Sequence, residues 1–494
     1  MKLIRGLVAI LFILLPLSCK QDILSSSESK GEKAYMAFKV GIPSVKGKSS
    51  GRSMLRQHLT DSEESNVKAV YVVLYDKETD NVVLTKDLRI SSDIDEIGGD
   101  DVSTVPEYRS PDSFVTVGIE VPKHDYKVLV FINPIQEIRE LTTVGRHYSA
   151  ILDPVDARLI ITPTTFPEFV MSNAQGPVEV RKVDLHSSTL EAEKNPVTLA
   201  VDRMLAKLSI KKHQDGLVVK EGVKVKNINW SVDVTNKKSY LLRKLGNLST
   251  GVAEKLGDTS AREQRYAVDM NFDEDYSAAR WQDLSNVFKY RTDYETSDLT
   301  QFSPIAEEGQ EYRSIYIPEN TMAAGRHYPV STTSVIFAME YYPANMEEGK
   351  TWVSYKDQYF YSYEVFKKMI NDINKNEGML PGAPEGFVQE VIQNAPYEEK
   401  AQIKGNVKIY YKGRVFYRVP IQHFGRGLTS GPDAYGYYGI VRNNEYTVNL
   451  KAVLEPGKPF IPTPDPEDPE PDKQNIVFNI SVEPWTVRKV SHDL

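Results

Sequence analysis

The chain has 494 residues, a net charge of −8 and a single cysteine, Cys19. The acidic balance argues against a nucleic acid partner, whose phosphates call for a basic face, and one cysteine cannot staple the fold by itself. Stability must come from burial, and the length is enough for two or three cores.

Lys2 and Arg5 precede an apolar run from Leu7 to Leu17 that is too short to span a bilayer and has the layout of an export signal. Cys19 follows at once, where a bacterial signal peptidase would cut and a lipid would be attached. Pro16 and Leu17 depart from the strict motif, so an export signal with an incidental cysteine is the alternative. Residues 20–33 are polar. In "AYMAFKVGIP", Met36, Phe38, Val40 and Ile42 share one face of an amphipathic strand. "SVKGKSSGRSML" then reads as an exposed loop in which Arg52 is open to an arginine-specific protease.

Strand patterns dominate the middle. "NVKAVYVVLYD" and "NVVLTKDLRI" flank "KETD" as a hairpin. "SFVTVGIEVP" and "DYKVLVFINP" are strands, with a short helix over Ile135–Leu141. "VTLAVDRMLAKLSIK", "VKVKNINWSVDVTN", "YRSIYIPEN" and "VSTTSVIFAMEYYP" continue the pattern. "YEVFKKMINDINKNEG" reads as a helix with Val365, Met369 and Ile373 on one face and Gly378 at its end. "NVKIYYKGRVFYRVPI" reads as a hairpin turning at Lys412 and Gly413, and "NNEYTVNLKAVL" as a strand. The expected class is all-β, built from stacked sandwich domains. A signal (1–19) and a propeptide (20–52) precede domains over 53–195 and 196–455. A proline-rich linker (456–475) and a terminal strand (476–494) follow.

Little in the sequence points to catalysis, a metal or a cofactor. Gly47, Ser49 and Gly51 match a nucleophile-elbow pattern but sit in a loop, without the strand and helix such an elbow needs. The eight histidines show no zinc-ligand spacing. "GRHY" at 145–148 and 325–328 reads as shared turn chemistry. The acidic run with Asp93, Asp95, Glu96, Asp100 and Asp101 lacks the spacing of a calcium loop. The 28 tyrosines fall mostly in strand alternation and read as core or rim.

The two terminal strands carry more information. Ile476, Phe478, Ile480 and Val482 near the end repeat the pattern of Met36, Phe38, Val40 and Ile42, with phenylalanine second in each. Cutting after Arg52 would remove the first strand and open a sheet edge. Seven prolines between Pro456 and Pro471 favour an extended linker that lets the last strand reach a neighbouring molecule. That is strand addition between copies.

"YMAFKVGIP…GR", "FVMSN", "VDRMLAKLSI", "INWSV", "YYKGRVFY", "VRNNEYTVNL" and "VEPWTVRKVSHDL" together resemble the fimbrillin superfamily of Bacteroidales. The likeness extends over the whole chain and is closest to shaft subunits of Porphyromonas short fimbriae. It implies two transthyretin-like β-sandwich domains and a type V pilus. The precursor would be lipidated at Cys19 (palmitate included), held at the outer membrane and cut between Arg52 and Ser53 by a gingipain-like protease; Arg56 is a competing site. The displaced strand would run from about Tyr35 to Pro43, with Met36, Phe38, Val40 and Ile42 on its apolar face, and the donor strand from about Ile476 to Val490, with Ile476, Phe478, Ile480 and Val482 on its own. The implied product is a linear homopolymer with anchor and tip accessory subunits. It would be displayed as a cell-surface fimbrium that serves adhesion, aggregation, biofilm formation and virulence. Alternatives are an anchor or tip subunit, or a monomeric glycan-binding surface lipoprotein.

Overall fold

The computed structural model describes residues 32–42, 66–88, 109–110, 113–161, 168–245, 266–294, 296–306, 314–376, 378–424, 431, 433–465 and 475–484. Cys19, Arg52, Ser53, Arg56 and the acidic run from Asp93 to Asp101 lie outside the described residues.

β1 (Lys33–Met36) and β2 (Phe38–Gly41) open the first unit, followed by the hairpin of β3 (Val70–Asp76) and β4 (Val82–Leu88). Aspartates at both ends make its turn. Asp76 Oδ1 accepts from the amides of Glu78 and Thr79 at 3.2 and 2.8 Å, and Asp80 takes a φ of 55°, a role its short polar side chain suits. β5 (Ser113–Val115), β6 (Ile119–Pro122) and β7 (Tyr126–Ile132) follow, then α1 (Gln136–Leu141), β8 (Met171–Asn173) and β9 (Val197–Arg203). A nine-stranded sheet runs β4-β3-β7-β8-β9-β2-β5, completed by short strands at 109–110 and 178–180, while β1 and β6 form their own ladder. One core holds them together, and β3 presents buried residues on both faces.

The second unit is a two-layer sandwich. One sheet comprises β10 (Leu205–Lys212), β12 (Ser314–Pro318), β19 (Asn444–Val453), β20 (Ile476–Pro484) and a short strand at 218–219. The facing sheet holds β11 (Lys224–Asp233), β13 (Ser334–Tyr342) and β18 (Arg414–Pro420), with a short strand at 303–304. Leu208 and Ile210 from the first sheet meet Trp230, Phe337, Met339 and Tyr417 from the second, as alternation on each strand requires.

Between β13 and β18 the chain leaves the sandwich and builds a subdomain. Its sheet is β14 (Trp352–Tyr355), β15 (Tyr359–Ser362), β16 (Gln402–Lys404) and β17 (Val407–Tyr410), with helices α2 (Tyr363–Lys375) and α3 (Phe387–Asn394). It has its own core around Val353, Phe366, Ile373, Phe387 and Ile409.

Three expectations need correcting. The first sheet runs through β9 to Arg203, so the units divide at Met204 and not at 195. β17 and β18 are not a hairpin, because β17 pairs β14 and β18 pairs β13. Lys412 and Gly413, at φ values of 53° and 73°, redirect the chain between sheets. A Cβ at Gly413 would lie 2.3 Å from the Tyr342 ring, so only glycine fits there. On α2, Phe366 and Ile373 are buried, whereas Val365 is exposed. Gly378 does end that helix region, its amide donating to Ile373 O at 2.9 Å with φ of 86°.

The two units are joined by buried charge. The Asn443 side chain donates to Asp202 Oδ1 at 2.7 Å and its backbone amide to Leu205 O at 2.9 Å. Arg442 pairs Glu319 at 3.2 Å and donates to Tyr240 O at 2.7 Å, and Arg243 pairs Asp202 at 3.1 Å. Burial pushes the Asp202 carboxyl up, opposed first by Arg243. Removing one member of such a buried pair costs about 3–5 kcal/mol.

Candidate functional site

The first terminal strand lies in a slot, paired along both edges. On one side β1 runs antiparallel to β6, from Lys33↔Pro122 to Met36↔Ile119, and β2 antiparallel to β5, with Val40 opposite Phe114. On the other side Tyr35 bridges His186, and β2 runs parallel to β9, with Phe38 opposite Val197 and Val40 opposite Leu199. Met36, Phe38, Val40 and Ile42 are 1%, 0%, 0% and 7% exposed. Burying four such side chains is worth about 1.5–3 kcal/mol each before entropy.

The ladder jogs at Ala37, where the strand leaves β6 for β5. Thr116, fully buried, fills the jog. Its amide donates to Phe38 O at 2.9 Å and its Oγ1 accepts from the Phe38 amide at 3.0 Å. At the mouth, Lys33 pairs Glu120 at 2.8 Å, and the Lys33 hydrogen bond holds that carboxyl below its ordinary value.

The other terminal strand occupies an edge. β20 pairs antiparallel with β19, from Asn444↔Pro484 to Val453↔Ile476, while β10 pairs β19 in parallel along its other side. Ile476 is buried at 2% exposure, but Phe478, Ile480 and Val482 are only partly buried against the second core. The structure therefore keeps the two strands in separate cores.

The described first part of the linker, residues 456–465, is packed on the body and not held away from it as expected. It is strapped across the four-stranded sheet. Lys458 and Phe416 exchange backbone hydrogen bonds at 2.8 and 3.0 Å, and the Ile461 amide donates to Thr296 O at 3.1 Å. The Arg418 guanidinium donates to Pro462 O at 2.8 Å and also pairs Asp233. The Trp281 amide donates to Asp465 Oδ1 at 3.1 Å. Ile461 is fully buried among Tyr294, Ile336, Ala338 and Phe416. Gly457 passes so close that a Cβ would lie 2.3 Å from Phe416 O. The signal for this strap was the apolar pair Phe460–Ile461 inside the proline run. Thr116 carried no sequence signal.

Gly47, Ser49 and Gly51 lie outside the described residues, and the two "GRHY" segments form turns. Gly145 and Gly325 of the two "GRHY" segments take φ values of 86° and 70° in turns, with Arg146 bonded back to Thr143 and Arg326 to Ala323. Among the described residues no group of three or more His, Cys, Asp or Glu is placed to hold a metal ion. No described helix is long and apolar enough to cross a membrane.

The described residues thus define an all-β protein with one terminal strand in a slot and the other docked at a sheet edge. Residues 408–491, which include β18, the strap and β20, match the model described as "Major fimbrial subunit protein type IV, Fimbrillin, C-terminal". That match supports a fimbrial subunit. No curated protein matches the chain. Among solved structures it is similar to a candidate cell adhesion protein from Parabacteroides distasonis ATCC 8503, at 13% identity and TM-score 0.46, over 92% of this chain and 100% of that one. It is similar to a fimbrilin from Porphyromonas gingivalis W83, at 12% identity and TM-score 0.43, over 92% and 98%. It is also similar to the tip fimbrial protein Mfa3 from Porphyromonas gingivalis with C-terminal truncation, at 11% identity and TM-score 0.36, over 92% and 100%.

Proposed function

We propose that this chain is the shaft subunit of an adhesive surface fimbria, a structural protein and not an enzyme, that polymerises by strand exchange between copies. The precursor is lipidated at Cys19 and held at the outer membrane. An arginine-specific protease cuts after Arg52, the first strand leaves its slot, and the tail strand of the next copy enters.

The observation that carries this reading is the inequality between the two strand sites. The tail sits at an edge with one ladder and three half-buried apolar side chains. The slot offers two ladders and closes over all four. A strand that moves from the first to the second gains hydrogen-bond partners and apolar burial, so exchange runs downhill once the slot is vacated.

Protease treatment of the purified precursor tests it. Fibres should form, and their subunits should begin at Ser53 by N-terminal sequencing. Arg52→Ala should remain a monomeric precursor, with Arg56 as the site to remove next if cutting persists. Phe478→Asp with Ile480→Asp should fold and mature but give only monomers by size-exclusion chromatography. Fibres that retain residues 33–42 would rule the exchange out. An anchor or tip role would show as incorporation of single copies without elongation.

A further inference from the structure

The two terminal strands share more than an apolar alternation. In the slot the ladder jogs at the residue before Phe38, since Met36 closes the pairing with β6 and Phe38 opens the pairing with β9. In the docked tail the ladder shifts register between Leu450 and Ala452, opposite Phe478 and Val477. Each strand therefore faces a break in its neighbours' pairing immediately before its phenylalanine, a change of partner in the slot and a bulge at Lys451 of β19 for the tail.

At that jog the Thr116 side chain accepts a hydrogen bond from the resident strand's backbone. Once β2 leaves, its buried Oγ1 and amide both lose their partners, and a buried polar pair of this kind is costly to leave unpaired. An incoming strand must present an N–H and a C=O on a single residue at that point, which excludes proline there.

Resting on the exchange reading above, we infer that the tail of a second copy enters the slot in the direction of β2, with Phe478 in the place of Phe38 and its backbone gripped by Thr116. Ile480 then takes the place of Val40, opposite Phe114 and Leu199. Val477 falls where Ala37, 1% exposed, now sits, so this register carries one tight fit. A register displaced by two residues puts Val477 at the half-buried position of Lys39, where a valine has room.

Cysteine pairs in the full chain decide it, because Cys19 is the only native cysteine and leaves with the leader. Phe114→Cys with Ile480→Cys should give a ladder of disulfide-linked multimers on a non-reducing gel of fibres. Linking through Phe114→Cys with Phe478→Cys, or with Val482→Cys, would overturn the register or the direction. Fibres that link through none of the three would overturn the placement. A chain that forms no fibres at all defeats the exchange reading itself. As a second arm, Val477→Ala should slow fibre dissociation in denaturant, and no effect or faster release would count against the register. Thr116→Val should speed tail release about tenfold, the loss of one buried hydrogen bond, and Thr116→Ser should restore it. Equal release from all three chains would overturn the role of Thr116.

Discussion

The slot strand and the tail strand have almost the same apolar pattern, yet the fold treats them differently. The residues around Phe38 are paired on both sides and closed over by the nine-stranded sheet and the β1–β6 ladder. The residues around Phe478 lean against one neighbour, and Val477 is 37% exposed on the outward side. Sequence alternation thus states that a strand has a buried face. It does not state how many edges the strand will find, and the number of edges sets how firmly it is held.

This contrast can be broken by mutation. Phe38→Ala should destabilise the precursor by about 3–5 kcal/mol, the range for a fully buried aromatic, read from urea unfolding. Phe478→Ala should cost only about 1–2 kcal/mol, because that ring is partly exposed and lies at an edge. Equal losses would mean that the tail is as integral as the slot strand. Amide exchange should rank the same way, with β2 amides protected well beyond those of β20 in the uncut chain. The smallest effect concerns the strap. Burial lowers the Lys458 ammonium from 10.5 to about 8. The undocked strap keeps its proton up to the ordinary lysine value, so stability should rise with pH from about 8 towards 10.5 and be flat below 8. The gain should stay within about 1 kcal/mol, since the side chain is partly solvated, and Lys458→Met should abolish it.

Much of this was legible in local patterns. The β3–β4 hairpin followed from Asp76 and Asp80 between two apolar runs, and the buried face of β2 from strict alternation. The helix end at Gly378 followed from its freedom at positive φ. What escaped had non-local causes. The border between units is invisible because β9 and β10 form one apolar run, and the charges within it, Asp202, Arg203 and Lys207, are buried against distant partners. Lys412–Gly413 looks like a hairpin turn because a sheet-switching corner asks for the same backbone angles. The short helix α3 was missed altogether. Within "VRNNEYTVNL" the block Arg442–Asn443–Asn444 is buried, and its Asn443 reaches across to Asp202 of the first unit. Of the proposed site, the two strands could be read from the chain, but neither the jog at Ala37 nor the grip of Thr116 could.

The strap has a mechanical consequence. A tug on anything downstream of Asp465 meets Trp281, Arg418, Thr296 and the socket around Ile461 before it can pry at the end of β19. As far as Asp465 the proline run is therefore a rope made fast to a cleat, with the force shared across the broad face of a sheet.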